Sequence, residues 1–309
     1  MPKIKTEKEV KYKLIELYKG KVQVRFYEDS HQYWVSVDGS PFKRKSGVTT
    51  IGGIKDKSVP LGKWQQSITA DFLFKKLDSK KKIDEDAIVE AISQCDIQKE
   101  EAADIGHKIH EWCEHYIKYK LGEPGYETIP TIPEGTEATN GVNAFLEWEK
   151  SHKVKFISSE RVVYSLEHDY IGTLDIEAMV DGELCLVDLK SSNGLYNGVR
   201  TQTEAYARAD EEERGRKLYK GRWAIKLSKF DEKEYLRKEE LKNILKSRLA
   251  RIQGKEEKIY PPKPYQVFEA KFLDDEKTHR ERDFKAFLNC LGLFRWDKET
   301  DPFTNKENW

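Results

Sequence analysis

The sequence is short of several features that mark large protein classes. It has four cysteines, Cys95, Cys113, Cys185 and Cys290, and no two form a CxxC pair. That spacing argues against a zinc ribbon or an iron–sulfur cluster and fits scattered free thiols in a reducing cytoplasm. Long apolar runs are missing: the longest, Leu184 to Val187, is four residues. No transmembrane helix fits in it, so no membrane partner is expected. The opening MPKIKTEKEVKYK has no stretch that suits a signal peptide, and its glutamates argue against a transit peptide. The expected location is cytoplasmic. No GxxxxGK[ST] loop occurs, so the chain either works without a nucleotide-driven motor or borrows a partner's. Neither sign of charge is in excess, with 55 Lys+Arg against 55 Asp+Glu.

What is present supports a folded enzyme-sized chain. The 309 residues include 7 Trp, 15 Tyr and 13 Phe, enough aromatic bulk for a sizeable core. Overall neutrality hides a local bias: residues 213–258 hold 16 Lys/Arg and 8 Asp/Glu. Such a stretch suits phosphate contacts or a solvated helix face.

Alternation predicts a hairpin from Val22–Phe26 and Gln32–Val37, turning at Glu28-Asp29-Ser30. Helices are expected over about 61–77, 85–94, 99–121 and 137–152, the third being amphipathic and ended by Gly122 and Pro124. The centre changes period. Strands are expected at 161–165, 171–180 and 183–189, a helix at 199–209, and a strand at 222–227. A charged helix at 235–252, a strand at 265–272 and a helix at 278–293 follow. The order predicts an α/β fold, a central mixed sheet flanked by helices with N-terminal helical and hairpin additions. Residues 1–98 would pack on a core of 99–309, which carries a helical insertion at about 231–262.

Asp181-Gly182 between apolar runs is a strong two-residue hairpin signal. It pairs Val180 with Glu183, Met179 with Leu184 and Glu177 with Leu186, and so sets Asp175 opposite Asp188. Lys190, two residues on, shares a face with Asp188. Facing carboxylates in an apolar strand repel and need a cation or a shared proton. A Mg²⁺ ion suits their hard oxygens, while strand-end carboxylates facing solvent are the plainer alternative. His110 and Glu114 lie four apart on one helix, as do Gln202 and Tyr206 on another. Ser191 and Ser192 follow Lys190 and offer hydroxyls to a phosphate or to a turn.

The order of these motifs resembles a known family. Gly106-x-x-x-His110-x-x-x-Glu114, Gly172-Thr173-Leu174-Asp175, Asp188-Leu189-Lys190 and Gln202-x-x-x-Tyr206 are similar to the motif series of the PD-(D/E)XK nuclease superfamily. The branch is that of RecB-like exonucleases, with phage exonucleases and the mitochondrial genome maintenance exonuclease. The resemblance covers about residues 106–206. It implies a restriction-endonuclease-like core and a Mg²⁺- or Mn²⁺-dependent exonuclease acting at DNA ends in recombination or repair. By the same resemblance His110, Asp175, Asp188 and the Leu189 carbonyl would ligate the metal, and Lys190 would orient the attacking water. Gln202 and Tyr206 would support the lysine or the DNA, with Glu114, Ser191 and Glu160 as further candidates. The chain departs from iron–sulfur members in lacking their clustered cysteines, and has Leu174 where the superfamily name has Pro. DNA is the expected partner, as single strands or duplex ends, with a helicase or a single-strand-binding or annealing protein as a candidate companion. An endonuclease of the same superfamily or a non-catalytic nucleic-acid-binding protein are the alternatives.

Overall fold

A computed structural model describes residues 11–192, 194–256, 261–275 and 279–300. Among them the chain is α/β, with one antiparallel and one mixed sheet flanked by helices. The first sheet is a meander of β1 (Lys13–Leu17), β2 (Val22–Tyr27), β3 (Gln32–Val37) and β4 (Lys43–Lys45). The expected hairpin is β2–β3. The two outer strands go beyond the sequence pattern, because their charged residues (burial reaches only Leu17 in β1) hide the alternation.

Three helices come next: α1 (Val48–Gly52), α2 (Ser58–Asp78) and α3 (Glu85–Leu121). The separate helices expected at 85–94 and 99–121 are one 37-residue helix. Nothing between them breaks a helix: Cys95-Asp96-Ile97-Gln98 holds neither Gly nor Pro. The expected domain boundary at 98/99 therefore falls inside α3. Asp84 caps its start by accepting from Ala87 N–H at 3.0 Å, and Gly122 ends it at φ +69°.

The second sheet has the order β5-β6-β7-β8-β9. Its strands are β5 (Val154–Ser165), β6 (Tyr170–Val180), β7 (Glu183–Lys190), β8 (Gly221–Leu227) and β9 (Phe268–Phe272). All neighbours are antiparallel except β7 and β8, which α5 (Gly198–Arg214) connects in parallel. On one face α3 and α4 (Thr136–Ser151) bury Ile109, Trp112, Phe145 and Trp148 against Ile176, Val187 and Leu189. On the other face lie α1, α5 and α7 (His279–Thr300), with Tyr206, Phe287 and Leu291 against Leu174 and Leu186. The two remaining helices, α2 and α6 (Glu232–Ile252), bury no residue fully. On α6, Ile244, Leu249 and Ile252 are exposed.

Candidate functional site

The β6–β7 hairpin forms as the Asp-Gly turn requires. Asp181 and Gly182 both take positive φ, and Val180 pairs with Glu183, Met179 with Leu184 and Glu177 with Leu186. The ladder stops at Ile176–Val187, one residue short of the two aspartates. There Asp175 Oδ2 accepts from the Leu189 N–H at 2.8 Å. A side chain has replaced the ladder, so the strands part where the carboxylates stand.

The β5–β6 pair changes at the same level. Leu174 packs on the α5 side, whereas Ile176 packs on the α3–α4 side. A regular strand would put both on one face. Across the ladder Ser159 pairs with Ile176 and Arg161 with Leu174, so Glu160 lies opposite Asp175. Glu160 has φ +51°, a left-handed conformation that an ordinary side chain rarely adopts. The break in alternation brings the two carboxylates beside α3. Ligand atoms of His110, Glu160 and Asp175 all lie within 4.8 Å of one another.

Two glycines permit this assembly. A Cβ on Gly106 would sit 2.7 Å from Ser191 Oγ, so its absence lets α3 approach the end of β7, one helical turn before His110. A Cβ on Gly172 would sit 2.4 Å from Tyr206 Cε1. That contact seats the buried Tyr206 ring against β6, three residues from Asp175.

Asp188 is completely buried. Neither of its carboxylate oxygens accepts an aligned hydrogen bond, and its close partner is Lys190 Nζ, 2.5 Å from Oδ2. Burial pushes the Asp188 carboxyl up to about 6, and Asp175 adds to the rise while Lys190 opposes it. Burial, then the charges of Asp175 and Glu114, push Glu160 up to about 9. Asp175 is raised mainly by burial. His110 is pushed down to about 4 by burial and by Lys190, which leaves a neutral imidazole at ordinary pH. Burial alone would lower Lys190, but Asp188 and Asp175 outweigh it and hold the ammonium above its usual value.

The sequence-expected residues divide by place. His110, Asp175, Asp188 and Lys190 converge, and Leu189 contributes a backbone N–H. The tightest group contains Glu160 instead of Asp188, so a carboxylate of secondary rank in the motif series joins His110 and Asp175. Its only sequence signal is a position on the strand before the hairpin. Glu114 does not join that group and pairs with Lys118 at 2.5 Å on the same helix. Gln202 Nε2 donates to Tyr206 Oη at 3.0 Å and to Thr49 Oγ1 at 3.3 Å. Among the described residues no hydrogen bond joins either Gln202 or Tyr206 to Lys190. Thr49, at the start of α1, is the addition that the sequence motifs do not assign.

The donor set could hold a metal ion. A neutral imidazole, carboxyls that burial keeps from ionising, and a buried carboxylate that no hydrogen-bond donor satisfies among the described residues all gain from a positive ion among them. Comparison of the chain with protein-family profiles and with curated protein sequences finds no match in either. Among the described residues no helix is long and apolar enough to cross a membrane.

Proposed function

We propose that the chain is a metal-dependent deoxyribonuclease that hydrolyses phosphodiester bonds at DNA ends. The observation that carries this reading is the meeting of His110, Glu160 and Asp175 beside a buried Asp188–Lys190 pair. These are the residue types a phosphoryl-transfer site needs, on the elements where the motif order expects them. His110, Glu160 and Asp175 would hold a Mg²⁺ or Mn²⁺ ion, with Asp188 adjoining. When bound, that ion supplies positive charge for the scissile phosphate and acidifies a water.

The chain's own residues do the rest. Lys190 stays protonated between Asp188 and Asp175 and offers N–H donors to a phosphate oxygen or to a water. Asp188 holds that ammonium from its rigid position in the middle of the sheet. His110, uncharged, presents a nitrogen lone pair without adding repulsion toward a cation. Thr49 and Gln202 are not fully buried, and their hydroxyl and amide suit a phosphate or a base edge beside the site.

The test is time-resolved cleavage of end-labelled linear DNA, single- and double-stranded, with closed circular DNA alongside. Each runs with Mg²⁺, Mn²⁺ or EDTA, and with the Asp175→Asn and Lys190→Ala proteins. Metal-dependent loss of linear DNA only, abolished by both substitutions, is the expected result. Nicking or linearisation of circles would replace the exonuclease reading with an endonuclease. Absence of cleavage with either metal would refute the nuclease.

A further inference from the structure

The antiparallel meander β1–β4 has two unlike faces. One is apolar: Leu17, Val22, Val24, Tyr33 and Val35 pack on Val162, Tyr164 and Ile171 of the central sheet. The Tyr33 hydroxyl lies 2.8 Å from the Thr173 hydroxyl, two residues from Asp175. That docking fixes the meander to the strand that carries the candidate site.

The other face carries rings and cations. Register aligns Arg25 with Trp34 and Trp34 with Arg44, so all three project from the same side. The Arg25 guanidinium lies 3.9 Å from the Phe42 ring centroid and 5.0 Å from that of Tyr12. The ring of Tyr27 stands 5.5 Å from that of Tyr12. Tyr12 and Arg44 are exposed, and Trp34, Tyr27 and Phe42 are half-buried. Residues 11–45 hold eight Lys/Arg against four Asp/Glu. Lys13, Lys21 and Lys45 have carboxylate partners, whereas Arg25, Lys43 and Arg44 have none among the described residues. The buried Nε–H of Arg25 finds no acceptor there either.

An aromatic surface with surplus cations is not explained by the fold. A meander needs only its inner face to be stable, and its outer face would serve with Thr, Glu or Lys. Flat rings and guanidinium groups that have no carboxylate partner among the described residues match a polyanion that also exposes flat π-faces. We infer that the outer face of β1–β4 is a base-stacking platform for single-stranded DNA. The choice of DNA rests on the nuclease reading above; the choice of a single strand rests on the rings, because a duplex keeps its base faces covered. Four strands at ~4.8 Å spacing give a row of about 14 Å, room for two or three stacked bases. Trp34 at the centre takes a base, and the exposed Arg44 stands beside it for a phosphate.

The experiment is fluorescence anisotropy with the full chain in EDTA, so that no cleavage occurs. The probe is labelled oligo-deoxythymidylate, with an RNA of matching sequence and a DNA duplex as competitors. Trp34→Ala should weaken single-strand binding about tenfold, and Trp34→Phe, which keeps a π-face, should stay within about twofold. Arg44→Ala, at an exposed position that folding does not need, should lower the salt dependence of binding by about one ion. Wild-type affinity in both alanine variants would overturn the proposal, as would equal competition by the duplex or tighter binding of RNA. Loss of binding in Trp34→Ala by a chain that cuts no DNA would leave the platform standing and remove the nuclease. Cleavage with unchanged Trp34→Ala binding would do the reverse.

Discussion

Gly172→Ala tests whether the contact between β6 and α5 is what seats the candidate site. The added methyl carbon would meet Tyr206 Cε1 at 2.4 Å, Cδ1 at 3.1 Å and Val48 Cγ2 at 3.3 Å. The ring cannot swing away. It is buried, and its hydroxyl is tied by Gln202 at 3.0 Å and approached by Thr49 at 3.5 Å. Relief must come from β6 or α5, and overpacking of this kind costs about 1–3 kcal/mol. For a chain of this size that lowers Tm by roughly 2–6 °C. Tyr206→Ala alone opens a cavity and should cost about 3–5 kcal/mol. In that background the methyl group added at position 172 has space, and the second substitution should cost almost nothing. The double-mutant cycle, read by urea denaturation, should therefore return a coupling of about 1–3 kcal/mol. An equal cost of Gly172→Ala in both backgrounds would refute the steric argument. DNA cleavage should fall in Gly172→Ala at temperatures where the protein remains folded, because Asp175 is three residues along the displaced strand.

Three further outcomes are expected. Adding Mg²⁺ or Mn²⁺ should raise Tm relative to EDTA, by about 2.7 kcal/mol of stability at a hundredfold excess over Kd, and Asp175→Asn should abolish the shift; equal Tm with and without metal would count against the site. Asp188→Asn should be more stable than wild type in EDTA at neutral pH. The native carboxyl keeps its proton up to about pH 6 whereas the unfolded one loses it at about 4. The native state thus binds more protons across that window, and wild-type stability falls as pH rises from about 4 to 6; a pH-independent difference between the two proteins in urea melts would contradict this. Arg222→Leu should lose about 3–5 kcal/mol, since Arg222 is fully buried among Asp274, Asp283 and Glu204, and its removal strands their charge; an unchanged denaturation midpoint would contradict the network's role.

The β6–β7 hairpin is legible in the sequence because a two-residue turn leaves only one register. The placement of Asp175 and Asp188 near one another follows from arithmetic on the chain. The parting of the strands is not legible, since it depends on the Asp175 carboxylate taking a backbone N–H of β7. Glu160 illustrates the same limit. Its place beside His110 and Asp175 comes from a left-handed backbone that a glutamate does not advertise, and from a break in alternation visible only when both faces are packed. The union of two expected helices into α3 turns on four residues that neither favour nor forbid continuation. Arg222 is hidden for another reason: burial of a guanidinium needs carboxylates from α5, α7 and the loop after β9, which no local pattern brings together.

The continuity of α3 has a mechanical consequence. Its first half packs against α2 outside the central sheet, and its second half carries Ile109, Trp112 and Cys113 into the core. His110 stands about 37 Å from the first turn at 1.5 Å per residue. With neither Gly nor Pro between Glu85 and Ile105, the outer half is a continuous extension of the segment that packs around Gly106 and Ser191. A tilt of the outer end would therefore be felt at the turn that holds His110.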